Sequence, residues 1–269
     1  MTAAKVTGSY GSPNKTYITN DGKFMVYDSG TGNLRYLRVV DDQVVEVFIA
    51  DPANADMYGI KVGEASTSVI SKMTAKFGSA AVTSTDTMIT VAKPGYDNPV
   101  VSYYRCYSGK VESIQHIGTN IDLYITIKDY KGSLTNEDIA SKLIIDLIND
   151  LRVKNSKSKL SEVALVTAVA KAYCLDMYTR GFFSATDPSG KDSTARLKAA
   201  GYSGSIFTEY IYRLYNHPVE LFWALARDKT ARSDMLSTST TKIGVGVIYT
   251  IAHGSVVNHE GYFDIIYIK

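Results

Sequence analysis

GFFSATDPSGKDSTARLKAAGYSG, residues 181–204, reads as the end of one helix, a tight turn and the start of another. Gly181 is placed to take the left-handed conformation that closes a helix. Asp187-Pro188-Ser189-Gly190 is turn chemistry: the aspartate bonds its own backbone two residues on, proline presets φ, and glycine admits positive φ. Asp192 to Ala200 then has the pattern of a short helix. Ala185 puts a lone methyl group between Ser184 and Thr186, directly after Phe182 and Phe183. In an otherwise polar turn, that reads as a site from which something was removed.

Working outward, the helix that ends at Gly181 is expected to start from Ser161 as N-cap, with Leu160 and Leu165 as a hydrophobic staple. Val166, Val169, Tyr173 and Met177 fall on its buried face. Upstream, Thr135-Asn136-Glu137-Asp138 has capping-box form with aspartate in place of glutamate, and Ile139, Leu143, Leu147 and Leu151 follow at four-residue spacing. Downstream, Pro218 to Arg227 is a short helical pattern entered through Asn216-His217-Pro218, with proline at an early helical position. The runs 242–249 and 261–268 are β-rich and separated by a polar loop able to close a hairpin.

Before about residue 130 the periodicity is two, and the chain repeats itself. Tyr10-Gly11-Ser12-Pro13 recurs as Phe77-Gly78-Ser79-Ala80, Tyr36 as Tyr103, Arg38 as Arg105, Val44 as Val111 and Val47 as Ile114, all displaced by 67 positions. Each copy has short β-rich runs, a turn at Asp41-Asp42 or Ser108-Gly109, and a last strand, which predicts a small antiparallel sheet unit. The second copy is preceded by a helical pattern, with Val69, Ile70, Met73 and Phe77 at helical spacing. Its first-copy equivalent falls at or before residue 10, so the chain start reads as a cut inside or just after a longer natural N-terminus. The organisation predicted is residues 1–130, with two repeats over about 8–60 and 61–120, followed by 131–269. The junction falls at the linker-like Lys131-Gly132-Ser133.

Composition excludes several classes. The net charge is +2, and neither side of Tyr130 carries enough excess lysine and arginine for a nucleic-acid surface. Two cysteines, Cys106 and Cys174, are too few for a disulfide framework and read as buried thiols. The strongest apolar run, Val163 to Ala170, falls far short of the roughly 20 residues that span a bilayer. The first thirty residues contain no apolar core of a signal peptide.

With these elements in place, LINDLRVKN (147–155), the stretch 181–204, Glu209 followed by Tyr-Ile, ARSDML (231–236) and IGVGV (243–247) together resemble the bacterial branch of the CAP superfamily, the cysteine-rich secretory, antigen 5 and pathogenesis-related (SCP-like) proteins. The repeated region before them resembles the CAP-associated N-terminal domain of Gram-positive bacteria. The resemblance implies an α+β chain whose C-terminal part is a three-layer α-β-α sandwich with a cleft on the sheet side, in an extracellular or cell-envelope location. In the family pattern the opening stretch runs Phe-Ser-His-Thr-Asp-Pro, so Ala185 stands where a cleft histidine is expected. A second histidine belongs to Gly-His-Arg-Ala-Asn-Ile-Leu, where this chain reads Thr230-Ala231-Arg232-Ser233-Asp234-Met235-Leu236, so Ala231 replaces it. Glu-Asn-Ile becomes Glu209-Tyr210-Ile211, which keeps the acid. The family's tryptophan becomes Leu225, with Trp223 two positions earlier.

Two imidazoles are what let such a cleft hold a transition metal or move protons near neutral pH, and alanine does neither. No metal and no cofactor are therefore expected. His116 reads as strand surface, His217 as a helix entry, and His253 and His259 as loop. Ser184 and Ser233 flank the lost histidines but lack a base, and read as turn and cap residues. Asp187 reads as an Asx-type turn.

Twenty tyrosines against one tryptophan, with Tyr202, Tyr210, Tyr212 and Tyr215 around Glu209, suit either recognition of a glycan, peptide or cell-wall component or the packing of a sandwich edge. The expected function is a non-catalytic binding protein whose degenerate cleft presents Ala185, Glu209 and Ala231, with Ser184, Tyr210, Arg232 and Ser233 as ligand contacts. The alternatives are a hydrolase using Glu209 on a peptide or cell-wall substrate, and a structural module that interacts through the strand edges of its N-terminal repeats.

Overall fold

The structure is a computed structural model, and it describes residues 7–8, 11–19, 22–40, 42–53, 56, 58–92, 100–118, 136–215, 217–251 and 259–269. The linker expected at 131–133, the cap at Thr135, the loop 252–258 with His253, and most of the stretch expected to hold the cut first helix lie outside those residues. The chain divides into two compact units, Met1–Asp122 and Leu123–Lys269.

The first unit is built on one antiparallel sheet. Its elements are β1 (Lys15–Thr19), β2 (Gly22–Tyr27), β3 (Arg35–Val40), β4 (Gln43–Ile49), α1 (Ser66–Phe77), β5 (Val82–Thr85), β6 (Met88–Ala92), β7 (Val100–Tyr107) and β8 (Lys110–Gly118). The strand order is β1-β2-β3-β4-β8-β7-β6-β5, so the two expected small units meet through β4 and β8 in a single eight-stranded sheet.

The pairing of β3 with β4 recurs 67 positions on. Tyr36 faces Phe48 as Tyr103 faces Gln115, and Leu37 faces Val47 as Tyr104 faces Ile114. Both hairpins shift register at the same place, after Arg38 and after Arg105, so that Val39 opposes Val44 and Cys106 opposes Val111.

Strand alternation divides the side chains between two faces. On one face, Val69 and Met73 of α1 pack with Ile89, Val91, Tyr104, Cys106, Val111 and Ile114. The helix covers that apolar surface because its buried positions recur every four residues. On the other face Tyr36 stacks on Phe48 with centroids 5.1 Å apart. There Glu46 accepts from the Tyr36 hydroxyl and from Gln115 Nε2, the latter at 2.7 Å. These groups are buried and hydrogen-bonded, as burial of polar atoms requires.

The second unit contains α2 (Asn136–Lys154), β9 (Ser161–Glu162), α3 (Ala164–Arg180), α4 (Ser193–Ala199), β10 (Ile206–Arg213), α5 (Pro218–Arg227), α6 (Lys229–Met235), β11 (Lys242–Ile251) and β12 (His259–Ile268). Its sheet runs β10-β12-β11-β9, antiparallel except for β9 beside β11. Helix α3 lies on the face bearing Gly244, Gly246 and Ile266. The opposite face buries Val245, Val247 and Ile265, and Ser141 of α2 donates to the Val245 carbonyl on β11. The result is helix, sheet and helix in three layers of a mixed α+β chain.

The start of α3 differs from expectation. Ser161 N donates to Thr241 O at 3.1 Å and Val163 N to Ile243 O at 2.9 Å, so this stretch is held extended as β9. Val163 rather than Ser161 precedes the helix, and no side chain caps it. Leu165 is exposed, so there is no staple. Backbone pairing to β11 outweighs a single capping bond at this point.

Candidate functional site

Helix α3 closes at Gly181, whose φ of 67° is left-handed, and Phe182 N returns to Met177 O at 3.0 Å. The turn that follows is organised by Asp187. Its Oδ1 accepts from Ser189 N at 2.8 Å and from Lys191 N at 2.9 Å, and its own N–H donates to Lys191 O at 3.0 Å. The Lys191 N–H, then the Ser189 side chain, hold the Asp187 carboxyl down at about 2. Ser184 Oγ accepts from Thr186 N at 3.2 Å. Asp192 then caps α4 by accepting from Ala195 N at 2.8 Å.

Ala185 is exposed, and its carbonyl accepts from Arg196 Nη1 at 2.9 Å, while Lys191 O accepts from the same nitrogen at 3.1 Å. Arg196 Nη2 forms an ion pair with Glu209 of β10. The guanidinium lies 3.3 Å from the centroid of the Tyr173 ring, and the Tyr173 hydroxyl donates to Ser184 O. Ser184, Ala185 and Glu209 are thus joined through two residues, Arg196 and Tyr173, that sequence reasoning passed over. Burial pushes the Glu209 carboxyl up, with Arg196 acting against it.

Asp264 of β12 shares this face, since Glu209 opposes Ile266 two positions along. It is fully buried, and burial first, then the neighbouring Glu209, push its carboxyl well above the ordinary carboxylate range. A lone acid in the apolar run Tyr262-Phe263-Asp264-Ile265-Ile266 was a readable signal, because aspartate is almost never fully buried without a partner.

The remaining expected residues gather at Tyr210, which strand alternation points to the opposite face from Glu209. The Tyr210 hydroxyl donates to Asp234 of α6 at 2.7 Å. Burial and then that hydrogen bond push the phenol well above its usual range. On α6, Ala231 is fully buried, and its N–H donates to the cap residue Asp228 at 2.8 Å. Arg232 is buried and donates to Ala226 O at 3.0 Å, while Ser233 is exposed within the helix. Ala185 and Glu209 therefore form one group, and Tyr210 with the α6 residues forms another.

His217 caps α5, accepting from Val219 N at 3.2 Å. His259 begins β12 rather than lying in a loop. His116, expected on a strand surface, is instead buried in the first unit. Its Nδ1 lies 2.7 Å from Ser102 Oγ and its Nε2 3.3 Å from Asp56 Oδ2. Asp56 also accepts from Tyr104 at 2.9 Å and from the N–H groups of Tyr58 and Ile60 at 2.8 Å each. The connectivity is that of nucleophile, base and orienting acid.

Ser102 is only 1% exposed, however, so its hydroxyl is sealed from any substrate, and the network serves to satisfy buried polar groups. Asp56→Ala strands those donors and is expected to destabilise the first unit by about 2–4 kcal/mol in urea unfolding. A change under about 0.5 kcal/mol, the level of an ordinary surface substitution, would refute that structural role.

Among the described residues, no group of three or more His, Cys, Asp or Glu side chains is arranged to hold a metal ion. Nor is any described helix long and apolar enough to cross a membrane.

Comparison with known proteins agrees with the fold. All of the chain superposes on 92% of an extracellular protein containing an SCP domain from Bacillus anthracis str. Ames, with a TM-score of 0.75 and 16% identity. It likewise covers 90% of a cysteine-rich secretory protein from Staphylococcus aureus subsp. aureus Mu50, with 99% of this chain aligned, a TM-score of 0.67 and 12% identity. No curated protein matches the sequence significantly. The profile of the Cysteine-rich secretory protein family, CAP, matches residues 145–262, which run from within α2 into β12 and include the residues of the candidate site except Asp264. Over those residues the chain is similar to the CAP family.

Proposed function

We propose that this is a non-catalytic extracellular or cell-envelope protein of a Gram-positive bacterium, whose CAP cleft has lost its metal-site histidines and binds a glycan, peptide or cell-wall component. The observation that carries this reading is the engagement of Glu209. Its carboxylate is 8% exposed and held by Arg196, which is itself fixed to two carbonyls and an aromatic ring. A general acid or base must reach the proton it transfers, and a carboxylate tied in this way is poorly placed to do so. Neither Ala185 nor Ala231 supplies an imidazole to replace it. The equal registers of the β3–β4 and β7–β8 hairpins support the further reading that the first unit arose by duplication, as a CAP-associated N-terminal domain.

The test joins two measurements on the full chain. Zinc titrated calorimetrically at about pH 7.5, where imidazole is mostly neutral, is expected to give no stoichiometric binding. Incubation with peptides and muropeptides is expected to give no turnover. Turnover by the native chain that disappears in Glu209→Gln would overturn the reading in favour of a hydrolase. Tight zinc binding would overturn the loss of the metal site.

A further inference from the structure

We propose that Asp264 and Glu209 share one proton and, with Arg196, form a proton-dependent latch that fastens the turn 184–191 and α4 to the sheet of the second unit. This goes beyond the binding reading above and stands whether or not that reading holds.

Asp264 lies on β12, which is flanked by β10 and β11, and it opposes Ile211 on one side and Gly246 on the other. The backbone of α3 at Ala170 and Lys171 lies directly over Gly246, sealing that position. No N–H or O–H group among the described residues donates to either oxygen of Asp264. A carboxylate there would have neither water nor a donor, a costly state. The acid form needs only an acceptor, and Glu209, opposite Ile266 on the neighbouring strand and on the same face as Asp264, is the carboxylate placed to serve as one.

The groups that face the pair are Ser193 and Arg196 from α4 and Tyr173 and Cys174 from α3, with Asp187 of the turn acting on Tyr173. Of these only Arg196 is cationic. One guanidinium balances one carboxylate, so the cluster is neutral with the shared proton and carries an unbalanced negative charge without it.

The sign follows from proton linkage. Asp264 is pushed above its ordinary 3.8 by folding, so the folded unit binds more protons than the unfolded chain between those two values. Its stability therefore falls as pH rises from about 4 towards the folded value, and the penalty is complete above that value. Asp264 cannot yield, because its strand is paired on both sides. Glu209 sits on the edge strand and Arg196 on a helix of seven residues, so these are what move. Arg196 carries the bonds to Ala185 O and Lys191 O, and its displacement releases the turn.

Amide hydrogen exchange of the full chain, corrected for intrinsic rates, tests the latch. As the pH is raised from about 4 through the folded value of Asp264, the exchange of residues 192–199 is expected to rise about tenfold or more in the native chain, while β11 and β12 stay protected. Asp264→Asn offers a carboxamide N–H to Glu209 as the acid does, and is expected to abolish the rise. A flat native profile, or the same rise in Asp264→Asn, overturns the latch. If that variant fails to fold, the infrared carbonyl band of a protonated buried carboxyl decides on the native protein. The band is expected to persist at a pH above that at which ordinary carboxyls have ionised and to disappear on further raising of the pH, and its loss together with the ordinary carboxyls overturns the proposal.

Discussion

Arg152→Ala is expected to destabilise the second unit by about 3–5 kcal/mol, a large fraction of the stability of a domain. Arg152 sits near the end of α2, is 2% exposed, and sends its hydrogen bonds to backbone carbonyls and one hydroxyl. Nε donates to Ser158 O at 2.7 Å, and Nη1 donates to Met235 O at 2.5 Å and Ser237 O at 3.0 Å. Thr240 accepts through its hydroxyl and its carbonyl, at 3.4 Å each. One side chain thereby ties the connection after α2, the end of α6 and the loop entering β11. Alanine would leave a cavity and a set of buried carbonyls without donors, each costing about 1–3 kcal/mol.

Burial lowers the guanidinium from its ordinary value, yet arginine keeps its charge across the whole working pH range. No pH change should mimic the mutation. Arg152→Lys preserves the charge but offers a single compact ammonium in place of the planar fork, and is expected to cost about 2 kcal/mol or more. Urea unfolding followed by far-ultraviolet circular dichroism measures both variants. An Arg152→Ala midpoint indistinguishable from that of the native chain would show that these contacts are not what holds the three segments together.

Gly246→Ala is expected to cost about 3 kcal/mol or more, although it adds only a methyl group. A Cβ at this position would overlap the Ala170 carbonyl carbon and the Lys171 nitrogen and would lie 2.6 Å from the Ala170 carbonyl oxygen. These are backbone atoms of α3 and cannot rotate aside. At Gly244 the same substitution meets Val166 Cγ1 and, at 2.7 Å, Thr167 N. The two glycines alternate along β11 on one face and let the helix approach the strand closely. A thermal melt should show Gly246→Ala unfolding well below the native chain. If the two melt together, α3 does not rest on β11 as described.

Much of this was legible in local pattern. The αL closure at Gly181, the Asx turn at Asp187, the helix starts at Asp192 and His217, and the strands of 242–249 and 261–268 depend on residues close to one another in the chain. The chemistry that forms them is present in the tetrapeptide itself. The 67-residue spacing likewise foretold equal registers, because equal turns give equal pairings. Strand β10 and helix α6 were not anticipated. IFTEYIYR mixes polar and aromatic residues on an edge strand whose two faces are both partly buried, so its alternation is weak.

By itself the sequence determined most of the helices and strands, several of the turns and the family motifs it carries, since those follow from periodicity and from side chains acting on their own backbone. Tertiary structure alone decided that Ser161 is extended rather than a cap, that His116 is buried against Asp56 and Ser102, and that Arg196 reaches Glu209 while Asp264 lies beside it. Each of those outcomes depends on which strand or helix is laid next to which, and the deciding partners are Thr241 for Ser161, Asp56 for His116 and Glu209 for Asp264. A desolvated charge takes its energy from whatever surrounds it in space, and that surrounding exists only once distant segments have packed.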